Sequence, residues 1–335
     1  MQLFKLILLV IMTYSFTACN NTDKTTQEVT PETLGKFMQN LDDVTLQSRE
    51  NIQTWYQASV PGVHKSKRNR IAKKKGRFLA LIDALPASAK VIPTTGSRVE
   101  SSYDGLYWED MNVELPGGYI AIIATSQYFY AVGHSLADRN KGSIIRSIDG
   151  FSWEEVLVSE HQFSDIEQGN EVIVAVGYNG QVASSTNGLN WKTSITGNYS
   201  LYDVVYGENF LSVADPYAIF SLKDAVTLNL IKHDIEAIGL RNALYHNGLY
   251  LFFSYNFVLR YDGENFFAPL KKTSQLTEVI YKNQFMSLDK DVLVSDDGVT
   301  WTKIAELEVV DENTTGLNSA YSFISGSSII FTQKD

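Results

Sequence analysis

At 335 residues and 44% hydrophobic content the chain can bury a sizeable core, and its single cysteine excludes an internal disulfide. Aromatic residues are plentiful (18 Tyr, 17 Phe, 5 Trp), a composition that suits strands. The net charge of -10 excludes general nucleic-acid binding, yet residues 65–77, KSKRNRIAKKKGR, carry eight Lys and Arg and no acid, which leaves 20 basic against 38 acidic residues elsewhere.

Lys5 precedes the apolar run Leu6 to Met12, and small and polar residues follow up to Ala18. This pattern predicts a signal peptide over residues 1–18, because the run falls short of the ~20 apolar residues that span a bilayer. Phe16-Thr17-Ala18-Cys19 resembles the lipobox of bacterial lipoproteins. That resemblance implies lipidation of Cys19 and a cell-envelope location, with the membrane engaged through a lipid anchor. By the same resemblance, Asn20 after the cysteine leans towards the outer membrane. Residues 19–30 are polar and predict a flexible tether.

Residues 31–85 predict a small helical region. Thr30-Pro31-Glu32 has the hydroxyl, proline and acid of a helix start. Leu34, Phe37, Met38 and Leu41 follow at helical spacing, and Ile52, Trp55 and Tyr56 continue the stripe to Pro61-Gly62. Ile71, Phe78, Leu79, Ile82 and Leu85 suggest a second helix. The basic segment 65–77 then reads as a solvated helix face, or as a contact for anionic lipid head groups or an acidic partner.

From about residue 95 one pattern recurs: SSYDGLYW, RSIDGFSW, SSTNGLNW and VSDDGVTW. Asp104, Asp149, Asn187 and Asp297 each precede a glycine, and a Trp follows four positions after the acid or amide. Two weaker copies centre on Asp224 and Asp262, and the spacings become 45, 38, 37, 38 and 35 residues. A period near 40 with several strands per unit signals a propeller. Asp-Gly and Asn-Gly tolerate the backbone angles of a tight hairpin turn, and the acid oxygen can accept hydrogen bonds from turn amides. These six residues are therefore structural turn motifs, not catalytic groups.

The units resemble the Asp-box (BNR-like) repeats of sialidase-like and photosystem-assembly-factor-like propellers. The resemblance covers residues 95–335 and implies an all-β, six-bladed β-propeller, while saying little of function. Each blade should hold four strands, A to D. The first Asp motif has only C and D strands, and the segments SAYSFISG and SIIFTQKD supply an A and a B at the other end. Closure by C-terminal strands pairing with the first blade is the expectation.

Aligned B-to-C positions bring His134, Tyr178, Tyr217, Tyr255 and Asp289 to one face, and an insertion in blade two adds Asp138, Arg139 and Lys141. This is the candidate binding face, for a protein or a glycan. The five His show no metal-ligand spacing, no phosphate loop or nucleophile elbow appears, and no cofactor, metal or catalytic residue is assigned. The expected function is a non-enzymatic binding or assembly scaffold at the envelope. The alternative is a sialidase-like glycoside hydrolase, which would need converging arginines drawn from Arg98, Arg139, Arg146, Arg241 and Arg260.

Overall fold

The computed structural model describes residues 42–43, 45–60, 70–82, 96–215, 218–232, 239–254, 257–271, 277–281, 283–288, 290–310, 319–325 and 328–333. The signal segment, Cys19, the tether and the helix-start sequence at Thr30 lie outside them. Two strands come first, β1 (Asp42–Asp43) and β2 (Thr45–Ser59). Blade one is β3 (Ile71–Lys74), β4 (Arg77–Ile82), β5 (Arg98–Ser102) and β6 (Glu109–Glu114). Blade two is β7 (Gly117–Ala124), β8 (Phe129–Ser135), β9 (Gly142–Ser147) and β10 (Glu154–Ser159). Blade three is β11 (Phe163–Gly169), β12 (Val172–Gly177), β13 (Gln181–Ser185) and β14 (Lys192–Ile195). Blade four is β15 (Ser200–Tyr206), β16 (Phe210–Asp215), β17 (Ala218–Lys223) and β18 (Thr227–Lys232). Blade five is β19 (Asn242–His246), β20 (Leu249–Phe253), β21 (Phe257–Tyr261) and β22 (Leu270–Lys271). Blade six is β23 (Thr277–Tyr281), β24 (Gln284–Leu288), β25 (Asp291–Ser295) and β26 (Thr300–Val310), and a final hairpin joins β27 (Ser319–Ser325) to β28 (Ser328–Gln333).

The molecule is an all-β, six-bladed propeller. Each blade is an antiparallel meander, and the first strand of each packs against the first strand of the next. The second strands are nearly continuous apolar runs, such as RFLALI in β4 and VIVAVG in β12, because both of their faces meet a neighbouring blade. The fourth strands lie at the rim and are largely exposed, as in β10 and β14.

Among the described residues the predicted helical region is not seen; Leu34, Phe37, Met38, Leu41 and Leu85 lie outside them. Residues 45–59, 71–74 and 77–82 are strands, so Trp55, Ile71, Phe78, Leu79 and Ile82 are sheet residues. A short apolar run buried on both faces carries no period that separates strand from helix. Blade one is consequently complete in itself, its first two strands being β3 and β4.

Early and late strands do share one sheet, but that sheet is blade six and not blade one. β2 runs parallel to β26 and antiparallel to β28, giving the order β23-β24-β25-β26-β2-β28-β27. Its Trp55 packs with Met286, Leu307 and Ile330, while β27 lies beside β23. Val60, just past β2, packs with Ile71, Phe78, Ala80 and Ile82 of blade one. The three strands β2, β28 and β27 thus form a wedge that bridges the sixth blade and the first. The N-terminal strands also cover the outer strands of blades five and six, where β1 pairs with β22 and β2 with β26.

Candidate functional site

The repeated turns, acid–glycine in four blades, Asn187-Gly188 in blade three and Asp224-Ala225 in blade four, join the third and fourth strands. In blade one, Ser102 Oγ donates to Asp104 Oδ1 (3.0 Å) and accepts the N–H of Gly105 (2.8 Å). Asp104 Oδ1 also accepts the N–H groups of Leu106 (2.8 Å) and Tyr107 (2.9 Å), and Trp108 Nε1 donates to Gly105 O (3.1 Å). The same set recurs at Asp149 and Asp297. Asn187 makes the equivalent side-chain bonds with its amide oxygen, but Trp191 Nε1 is buried without a partner. Asp262 accepts from the N–H of Glu264 and Asn265. Phe266 stands in the Trp position and stacks on Tyr261. Asp224 accepts the N–H of Thr227, in a turn where Asp224 and Ala225 themselves take positive φ. The N–H groups of Phe151 and Ser152 hold the Asp149 carboxyl below the usual carboxylate range.

These turns also fasten one blade to the one before it. A Cβ on Gly150 would meet Leu79 at 2.6 Å, one on Gly188 would meet Tyr130 Oη at 1.8 Å, and one on Gly298 would meet Leu251 at 2.7 Å. Leu79, Tyr130 and Leu251 all stand on the second strand of the preceding blade. Trp153, Trp191 and Trp301 join the apolar clusters at the same junctions.

The loops between second and third strands lie at the opposite end of each blade. Between β8 and β9, the N–H of Ser135 bonds Lys141 O (3.0 Å), the N–H of Lys141 bonds Asp138 O (3.0 Å), and Asp138 Oδ1 accepts the N–H of Asn140 (3.0 Å). The insertion is therefore a tied turn. Gln162 Nε2 donates to Arg139 O, and Gln162 O accepts the N–H of Tyr178 (3.0 Å). Asn179 Nδ2 lies 3.3 Å from His161 Nδ1. Asp138, Arg139, Lys141 and Tyr178 are thereby brought into one lobe across blades two and three, together with His161, Gln162 and Asn179. His134 pairs with Gly142 at the base of the insertion, with its ring against Gly118 and Nδ1 3.1 Å from Ser135 O. Tyr217, Tyr255 and Asp289 lie outside the described residues. The contribution of His161 and Gln162 was missed in the sequence, although they occupy the linker that enters blade three on this face.

A second feature was also missed. Asp165 Oδ2 accepts the N–H of Val204 (3.1 Å), and Asp203 Oδ2 accepts the N–H of Ala243 (2.6 Å). Each carboxyl follows a β-bulge in its inner strand and reaches the inner strand of the next blade. Burial pushes the Asp203 carboxyl well above its ordinary range, and Asp165 adds to the shift. Burial, with Asp165 beside it, pushes Glu167 up to about 8. Glu167 therefore holds its proton through neutral pH.

Four of the arginines that a sialidase-like site would recruit are held on separate partners. Arg98 pairs with Asp110 (2.8 Å) and Arg146 with Glu154 (2.9 Å), while Arg241 stacks on Tyr202 at 4.0 Å and Arg260 on Phe267 at 4.8 Å. Among the described residues no group of three His, Cys, Asp or Glu could hold a metal ion, and no helix is long and apolar enough to cross a membrane.

No protein-family model matches the chain, and no curated protein does. Solved structures share its fold. YCF48 bound to D1 peptide is 11% identical with a TM-score of 0.56, over 88% of this chain and 100% of that one. The WD40 β-propeller domain of Doa1 is 12% identical with a TM-score of 0.55, over 84% and 97%. A catalytically inactive virginiamycin B lyase from Staphylococcus aureus, with quinupristin, is 10% identical with a TM-score of 0.56, over 82% and 98%. At these identities the likeness is one of fold.

Proposed function

We propose that the protein is an envelope lipoprotein, anchored through Cys19, whose propeller is a non-enzymatic scaffold for a protein partner. The observation that carries this reading is the lobe over blades two and three. Its backbone is fixed by hydrogen bonds from loop to loop, so it offers Arg139, Lys141 and an exposed Tyr178 with little ordering left to do on binding. Propellers of the same shape engage peptides, as YCF48 does with D1 peptide. The turn acids support the scaffold reading too, since Oδ1 of each one is occupied by backbone N–H groups of its own turn.

The test has two arms in intact cells. A photo-crosslinking side chain at position 178 should capture a discrete protein, and Asp138→Ala with Arg139→Ala should abolish the adduct. Cys19→Ser should move the protein out of the membrane fraction. Turnover of a glycan by the purified chain, with no adduct at 178, would reverse the reading in favour of a glycoside hydrolase.

A further inference from the structure

The described part of the basic run, residues 70–77, is not a helix face. Its last residues build the hairpin between β3 and β4, which brings Lys73, Lys74, Lys75 and Arg77 to the end of blade one that also carries the acid–glycine turns. Lys74 Nζ donates to Gln127 O (2.9 Å) and Ile148 O (2.6 Å) of blade two. Arg77 donates to Asp149 O (3.2 Å) and Ser101 Oγ (3.1 Å), and its guanidinium lies 5.0 Å from the centre of the Phe151 ring. Phe78 pairs with Ser102, so Arg77 and Tyr103 are neighbours at the ends of β4 and β5. Around these cations stand apolar side chains that face water: Tyr103 is 77% exposed, Tyr107 69%, Ile148 65% and Phe151 52%. Lys75 is exposed at the hairpin tip, and Lys73, also exposed, holds its ammonium 4.3 Å from the centre of the Phe78 ring.

Scattered single apolar residues on a surface need no explanation, but four around one set of cations do. We propose that this surface docks an acidic protein segment, a run of Asp and Glu interrupted by an aromatic or aliphatic side chain. It lies on the face opposite the lobe of blades two and three, so it is a second docking surface and goes beyond the function proposed above. Charge selects the occupant. The patch is cationic on a chain that otherwise has 20 basic against 38 acidic residues. A broad anionic membrane would bring that acidic body within a Debye length, about 8–10 Å, of like charge, whereas a short segment meets the patch alone. Tyr, Phe and Arg are also the side chains that carry protein interfaces. The acids within the patch, Asp104 and Asp149, spend Oδ1 on turn N–H groups.

The full chain should bind a fluorescein-labelled peptide of alternating Glu with Phe and Leu, read by fluorescence polarisation at about 50 mM salt, and should not bind the peptide with Gln for Glu. Lys73→Glu with Lys75→Glu should weaken binding at least about tenfold, and Tyr103→Ser with Phe151→Ser should do the same. Tyr178→Ala, on the other face, should leave the affinity unchanged, which separates this surface from the lobe. Because Lys73 and Lys75 are exposed, that variant should retain the parental circular dichroism spectrum. Failure of the Glu peptide to bind, equal binding of the Gln peptide, or affinity that either double variant leaves intact would overturn the proposal. So would co-sedimentation with phosphatidylglycerol vesicles, lost in the lysine variant, without peptide binding.

Discussion

Gly188 illustrates how tightly single residues are constrained. Its φ of +67° disfavours any side chain, and a Cβ would sit 1.8 Å from Tyr130 Oη. Gly188→Ala should therefore cost roughly 2–4 kcal/mol, the sum of a left-handed alanine and an overpacked junction, measured by urea unfolding. The buried acids predict a pH dependence of opposite sense to ordinary acid unfolding. Glu167, at about 8, binds its proton more tightly in the folded chain than in the unfolded one, and Asp203 is shifted in the same direction. The stability they contribute is complete below the unfolded carboxyl value of about 4 and is lost as pH rises through the folded one. The urea midpoint should fall between about pH 5 and pH 8, and Glu167→Gln should flatten that fall. The turns at Asp104, Asp149, Asn187 and Asp297 were legible because each one carries its glycine and Trp within four residues. The carboxyls of Asp165 and Asp203 were not, because their backbone partners lie 39 and 40 residues further along the chain.

At the scale of elements, β2 does what no local pattern announces. It was read as helix because Ile52, Trp55 and Tyr56 have helical spacing, yet Trp55 is only 8% exposed and packs among residues of blade six and β28. Burial inside a sheet decided its conformation, and the neighbours that bury it are supplied by the far end of the chain. Trp55→Ala should cost roughly 3–5 kcal/mol, as expected for a large aromatic removed from a core, and differential scanning calorimetry should record a lower midpoint. The second strands of the blades posed the same difficulty less severely. In β8, β12 and β20 the turn motifs that follow mark them as strands, whereas β4 is separated from its Asp104 turn by residues 83–97 and carried no such marker.

At the scale of the molecule, the six blades were legible from a repeat that occurs six times, and the mode of closure was not. Repetition reports on units that resemble one another. Among the described residues the wedge of β2, β28 and β27 stands outside the four-stranded repeat, and only its last two strands were recognisable as strands in the sequence. Removing residues 319–335 should strip β2 of its antiparallel partner and expose the inner strand of blade six. The shortened chain should unfold with a reduced urea dependence and associate on size-exclusion chromatography, while the full chain unfolds in one transition.

Gln57 hydrogen-bonds Ser328 across 271 positions of sequence. A ribosome or export channel that delivers the chain from its N-terminus releases β2 first and the strand that completes its pairing almost last. Blades one to six can assemble as they emerge, each from a contiguous stretch, but β2 has to wait with one edge open until residue 333 is out. The final step is then a single long-range event whose rate is set by the arrival of the tail, and that interval is when the young protein is most open to capture by a chaperone or by a copy of itself.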